Sequence, residues 1–123
     1  MNNRVTLSAT ALMLCVAGCG LVDKPLESAV ADCGLDEAPG AVLGDDGHSL
    51  RLDGRGEEDQ IGLDFADIQC VLDELDTPDY VMNRILQTRA LDGTQAGSWD
   101  DFHATWSYHP NSGTSMTISP LEG

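Results

Sequence analysis

A largely apolar, uncharged run, Val5–Val16, follows Arg4, and no further charge occurs before Asp23. A basic start, an apolar core of this length and small residues behind it are the parts of a secretory signal. The consequence reaches the whole chain, because everything after the signal is expected to fold on the outer side of a membrane. A transmembrane helix over Val5–Val22 is the competing reading. That run barely reaches the roughly 20 residues a bilayer requires, and it includes Thr6, Ser8, Thr10, Gly18 and Gly20. In both readings Arg4 stays on the cytoplasmic side and the acidic remainder is exported.

The run ends in Val16, Ala17, Gly18 and Cys19: a branched apolar residue, two small ones, then a thiol. This order resembles the lipobox of bacterial lipoproteins, which a type II signal peptidase cleaves. The resemblance implies a diacylglycerol joined to the Cys19 sulfur as a thioether, cleavage just before Cys19, and frequent acylation of the new amino group. Cys15 fits less well, because Leu12, Met13 and Leu14 before it are bulky. Two or three acyl chains make a stable anchor, each buried methylene contributing about 0.8 kcal/mol. The expected location is the extracytoplasmic face of the cell membrane, with the lipid as the membrane partner.

The chain divides accordingly into a signal peptide (1–18), the lipidated cysteine with a tether (19–32), and one small domain (33–123). The tether "GLVDKPLESAVAD", Gly20–Asp32, holds one proline. Its thirteen residues reach no more than roughly 45 Å when fully extended. With the first 18 of its 123 residues removed, the chain has room for a single domain with a small core.

Cleavage removes one of the six basic residues and none of the 21 acidic ones. So acidic a surface repels phosphate backbones, and nucleic-acid binding is excluded as a function. High net charge with few aromatic residues also suits disorder, but the patterning of the chain argues for a folded domain.

Cys33 and Cys70 are the two thiols left after the signal and its cysteine. In an exported protein an even pair is expected to be a disulfide. No C-x-x-C occurs, so redox catalysis lacks its usual local geometry. Closing a loop of about 38 residues stabilises a fold by roughly 4 kcal/mol on the chain-entropy estimate.

Leu50 and Leu52 alternate with Ser49, Arg51 and Asp53 between glycine-rich turns, which predicts a half-buried strand. In "GLDFADIQCVLDELD", Asp64 stands at a cap position with Asp67 three residues on, and Leu63 and Ile68 are spaced as a hydrophobic staple. Ile68, Val71, Leu72 and Leu75 then recur at helical spacing. A second helix is predicted over "TPDYVMNRILQTRALDG", with Thr77 as cap, Pro78 in its first position, Val81, Met82, Ile85 and Leu86 as its buried stripe, and Gly93 as its end. Arg84 and Arg89 fall where a cation complements the helix C-terminus.

From Phe102 the pattern changes to period two. Phe102, Ala104, Trp106 and Tyr108 share one side, while His103, Thr105, Ser107 and His109 share the other. "HPNSG" supplies a turn, and Met116 and Ile118 alternate with Ser115, Thr117 and Ser119 in a returning strand. The expected fold class is α+β, two helices packed on a small antiparallel sheet. The helix pair followed by the strand of Trp106 and Tyr108 is similar to the beta-lactamase-inhibitor-protein-like fold. "CVLDEL", "TRALDG" and "WSYHP" resemble segments of small lipoproteins of actinobacteria. Neither resemblance implies a catalytic residue or a cofactor.

Each candidate site has a plainer competitor. "DGRGEEDQIGLD", residues 53–64, invites a calcium-loop reading, but Arg55 falls at the third ligand position, Glu58 replaces the sixth-position glycine, and Asp64 is shorter than the usual last Glu. A solvated loop is the better reading, and no metal ligand is assigned. His103 and His109, if on one strand face, stand about 20 Å apart at 3.4 Å per residue and cannot share an ion. Ser98, Ser107 and Ser112 lie in no strained nucleophile turn, so no hydrolase triad is assigned. Trp99, beside Gly97 and two aspartates, is the aromatic candidate for a protein interface, and Trp106 is read as core. The polar strand face of His103, Thr105 and Ser107 is a second candidate contact surface. The sequence therefore points to an anchored interaction module with an envelope protein as partner, with no catalytic group. The alternative is a low-affinity divalent-cation binder using Asp45, Asp46, Asp53, Glu57, Glu58 and Asp59.

Overall fold

The computed structural model describes residues 24–121. Cys15, Cys19 and the cleavage region lie outside the described residues. The first described element is a helix, α1 (Pro25–Asp32), where the sequence suggested tether. Pro25 occupies the first turn, where its missing N–H costs nothing, and Glu27 adds an acidic group near the positive helix end. Leu26, Ala29 and Val30, spaced i, i+3, i+4, are buried on one face. A Schellman turn closes α1: the Leu35 N–H donates to Val30 O (2.9 Å) and the Gly34 N–H to Ala31 O (3.0 Å). Gly34 takes the positive φ, 71°, that this cap requires. The folded body thus begins near Lys24, about nine residues earlier than the expected boundary at Cys33.

Strands β1 (Ala41–Gly44) and β2 (Ser49–Asp53) form a hairpin, followed by helices α2 (Phe65–Glu74) and α3 (Asp79–Leu86). The chain ends in an antiparallel meander of β3 (Gln95–Trp99), β4 (Phe102–His109) and β5 (Gly113–Pro120). β5 then pairs antiparallel with β2, giving one five-stranded sheet in the order β1-β2-β5-β4-β3. The class is α+β, with three helices among the described residues instead of two.

Leu50, Leu52, Ala104, Trp106, Met116 and Ile118 point to one side of the sheet, and with Ile68, Val71, Leu72, Val81 and Ile85 from the helices they form one buried cluster. The two tryptophans tie the layers together. The Trp99 indole N–H donates to Leu75 O at the end of α2 (3.0 Å), and the Trp106 indole N–H donates to Thr88 Oγ1 just after α3 (2.8 Å). Gly97 packs closely beside Trp106, where a Cβ would sit 3.3 Å from the indole ring and push it by a few tenths of an ångström. Cys33 and Cys70 are disulfide-bonded, Cα atoms 6.0 Å apart, and join the end of α1 to the middle of α2.

Several helix ends differ from expectation. Thr77 does not cap α3. It completes a Schellman turn on α2, its N–H donating to Leu72 O (3.1 Å) and its hydroxyl to the same carbonyl (2.8 Å). Asp76 supplies the left-handed residue of that turn. Asp64 stands at the N-cap of α2 without a capping bond, because its carboxylate pairs with Arg55. α3 stops at Leu86, well short of Gly93, and Leu86 is exposed. Thr88 pins the chain there, its hydroxyl donating to Arg84 O (2.6 Å) while accepting from Trp106. Arg84 lies over the Trp106 ring, 5.7 Å from its centroid. Tyr108, expected to face the core, is 39% exposed at the far end of β4.

Leu26→Ala tests the reassignment of the tether. A buried leucine truncated to alanine costs about 2–5 kcal/mol, whereas an exposed linker position changes stability by no more than about 0.5 kcal/mol. Urea unfolding followed by tryptophan fluorescence is expected to show the larger loss.

Candidate functional site

The side of the sheet opposite the helices carries the polar half of β2 and β5 and the outward residues of β3 and β4, with exposed Val42 of β1 beside Arg51. Period-two alternation sends Arg51 and Asp53 of β2, Ser115, Thr117 and Ser119 of β5, His103, Thr105 and Ser107 of β4, and Ala96 and Ser98 of β3 to that side. The register sets them in rows: Arg51 opposite Thr117, Thr117 opposite Thr105, and Thr105 opposite Ala96. Ser119, His103 and Ser98 make the adjacent row, and Asp53, Ser115 and Ser107 the next. His103, Thr105 and Ser107 therefore do share one surface, and all three are partly exposed.

The charges on this surface compensate one another. The Arg51 guanidinium Nε lies 3.2 Å from an Asp53 carboxylate oxygen, and the Ser115 hydroxyl donates to Asp53 Oδ1 (3.2 Å). What remains is a band of hydroxyl and imidazole groups in a chain that otherwise has a large excess of acid. Such a band offers donors and acceptors without the repulsion that the acidic loops present to an acidic partner.

Ser98 Oγ and His103 Nδ1 are hydrogen-bonded at 3.0 Å across β3 and β4. This is the spacing of a nucleophile and its base. Among the described residues no carboxylate is hydrogen-bonded to His103 to orient it, and the pair lies in the regular register of the sheet. We read it as a cross-strand pair. Sequence reasoning placed both residues in this region without linking them, since their contact depends on β3.

Trp99 does not belong to the surface. It is 6% exposed, packs against Phe102 with ring centroids 6.0 Å apart, and donates to Leu75 O. Asp100 and Asp101 form a two-residue loop between β3 and β4, with Asp100 at φ 49°, and this tight reversal turns Trp99 inward. As an interface candidate it is replaced by the polar sheet face.

The acidic loop at residues 54–62 is held by its backbone against the β4–β5 turn. The Glu57 N–H donates to Pro110 O (2.9 Å), and the N–H groups of Glu58 and Asp59 both donate to Asn111 O (3.0 and 2.9 Å). Gly113, at φ 78°, admits this packing, since a Cβ there would lie 2.5 Å from Arg55 O. Among the described residues no three His, Cys, Asp or Glu side chains gather in a way that could hold a metal ion. Asp45 and Asp46 lie in the turn between β1 and β2, Asp53 at the end of β2, and Glu57, Glu58 and Asp59 in the acidic loop. His48 Nδ1 donates to Asp45 O (3.1 Å), and His109 Nδ1 accepts from the Asn111 N–H (3.1 Å), so both rings serve turns.

Arg89 and Asp92 form an ion pair at 3.0 Å in the turn after α3. The Asp92 carboxyl is held below the usual aspartate range by the hydrogen bond from the Arg89 side chain, then by that from the Arg89 backbone N–H. The pair is exposed and structural. Among the described residues no helix is long and apolar enough to cross a membrane.

No family model matches the chain, and no detectable similarity to a curated protein or a solved structure accompanies the fold. Trp99→Ala separates the core role from an interface role. Removing the ring and its hydrogen bond is expected to cost about 3–5 kcal/mol of stability, read by thermal and urea unfolding, whereas loss of a surface aromatic would leave stability nearly unchanged.

Proposed function

We propose that the chain is a lipid-anchored, extracytoplasmic interaction module of the cell envelope, in which Cys19 carries the lipid and the polar sheet face binds another envelope protein. The observation that carries the binding half of this reading is the open sheet. Five strands are covered by helices on one side, and the other presents hydroxyls and an imidazole around one internally compensated ion pair, with exposed Val42 at the β1 edge. A surface of this kind suits a protein partner met through hydrogen bonds, with bridging water at its rim.

The anchoring half rests on the Val16–Cys19 motif and on the short path to the fold. Cys19 is five residue steps from Lys24. At 3.3–3.6 Å per residue this spans no more than roughly 18 Å, less than half the reach of the expected thirteen-residue tether. The domain would therefore work against the membrane surface, and its partner would be a membrane or membrane-proximal protein. As a finer reading of the topology, the helix pair followed by the β3–β5 meander that contains Trp106 supports a beta-lactamase-inhibitor-protein-like arrangement.

A photo-crosslinking residue placed at Thr105 or Thr117 tests the proposal in intact cells, with exposed Tyr80 on α3 as the control position. The expected result is one reproducible protein adduct from the sheet positions, absent from position 80 and lost in Cys19→Ala. No adduct from an abundant, anchored protein would overturn the binding reading.

A further inference from the structure

The helices cover the sheet as far as the buried row of Trp106 and Met116, and the next pair in the register, Tyr108 and Thr114, lies beyond them. α2 begins only at Phe65 and α3 ends at Leu86, where Thr88 is tied to Trp106, so the Tyr108 ring is left in the open. Three hollows result, and Tyr108 is a wall of each. One, of about 360 Å³, lies between Phe65, Ile85, Leu86 and Thr114. A smaller one of about 140 Å³ continues past Phe65 to Leu63 and Arg55. The third, of about 420 Å³, lies between Arg55, Glu57 and Gln60 of the acidic loop and Pro110 of the β4–β5 turn. Since neighbouring hollows share Tyr108 with Phe65 or Arg55, they form one trough along this end of the molecule.

The trough changes character along its length. At the α3 end its walls are apolar: Ile85 is buried, Phe65 is half-buried and Leu86 is 54% exposed. A leucine exposed singly needs no explanation, but Leu86 shares one concave surface with Phe65 and Tyr108. At the loop end Glu57 lines the hollow and Glu58 and Asp59 follow it, all three exposed. Their N–H groups donate to Pro110 and Asn111, which fixes the loop beside the trough. Among the described residues Arg55 is the one cation lining the trough, and Asp64 pairs with it. The loop end therefore keeps a negative field.

We propose that the trough receives an extended segment of a protein partner that carries a Lys or Arg next to an aliphatic or aromatic residue. The apolar side chain sits between Phe65, Leu86 and Tyr108, and the cation lies beside Glu57, where the Tyr108 ring also attracts it. Charge selects this occupant. A second copy of the chain brings a formal net charge of -15 to an acidic rim and is repelled, as are anionic headgroups and nucleic acid. Sites for small molecules enclose most of the ligand, whereas this trough lies open along Glu57, Gln60 and Tyr108. A basic, extended segment meets both the shape and the field, and opposite charge also steers its approach. The trough lies on the helix-bearing side, away from the polar face of Thr105 and Thr117, so it is a second contact surface that stands or falls independently of the first.

Selection from a library of short random peptides on the full protein in phosphatidylcholine nanodiscs tests the proposal. Enriched sequences are expected to place Lys or Arg beside Leu, Ile, Phe or Trp. Their affinity is expected to fall by about tenfold or more in Leu86→Ser, which removes an apolar wall. It is also expected to fall in the Glu57→Lys, Glu58→Lys double variant and to stay unchanged in Thr105→Lys. Leu86 and both glutamates are exposed, so these variants keep the fold, and urea unfolding checks that they do. No enrichment over empty nanodiscs, enrichment of acidic peptides, or peptides that bind every variant alike would overturn the proposal. So would peptides lost only in Thr105→Lys, which assign binding to the polar sheet face, and self-association abolished by Leu86→Ser, which assigns the trough to a second copy.

Discussion

The fold depends on the pairing of β2 with β5. Leu50 meets Ile118 and Leu52 meets Met116 across this seam, and all four side chains are buried. Without it the chain holds two separate pieces, a short hairpin of β1 and β2 and a meander of β3 to β5. Neither is wide enough to support the helices. The contacts join residues more than 60 positions apart, so the ordering of a long intervening segment must be offset by the apolar area buried at the seam.

The helices close over that seam by two kinds of bond. Trp99 and Trp106 reach from the sheet to Leu75 and Thr88, satisfying their indole N–H groups, the first fully buried and the second partly. The Cys33–Cys70 disulfide holds α1 on α2, which matters because an eight-residue helix is marginal alone and takes its stability from packing. Once three helices occupy one side, the alternation of each strand leaves the other side polar and free. The candidate contact surface is thus a consequence of how the core is built.

The elements legible from sequence were those with a strong local period. α2 shows in Leu63, Ile68, Val71, Leu72 and Leu75, β2 in Leu50 and Leu52, and the last hairpin in its alternation around "HPNSG". α1 is short and follows an apolar segment, which hides it as a tether, although Pro25 and the i, i+3, i+4 spacing of Leu26, Ala29 and Val30 are its signal. β3 carries little local pattern, because Gly97 contributes no side chain and Gln95 is polar, so Trp99 alone marks its inward face. Reading Asp100–Asp101 as a two-residue hairpin loop would have found both the strand and the burial of Trp99. The Ser98–His103 contact and the docking of the acidic loop on Asn111 depend on tertiary structure, and no local pattern announces either.

A polar sheet face held at a membrane through Cys19 requires a lipid on that residue, which the intact mass of the protein from the membrane fraction reveals. The expected result is a chain that begins at Cys19 and carries a diacylglycerol-sized increment on that residue, with or without a further acyl group. A chain that keeps residues 1–18, or one that begins at Cys19 with a free thiol, would contradict it.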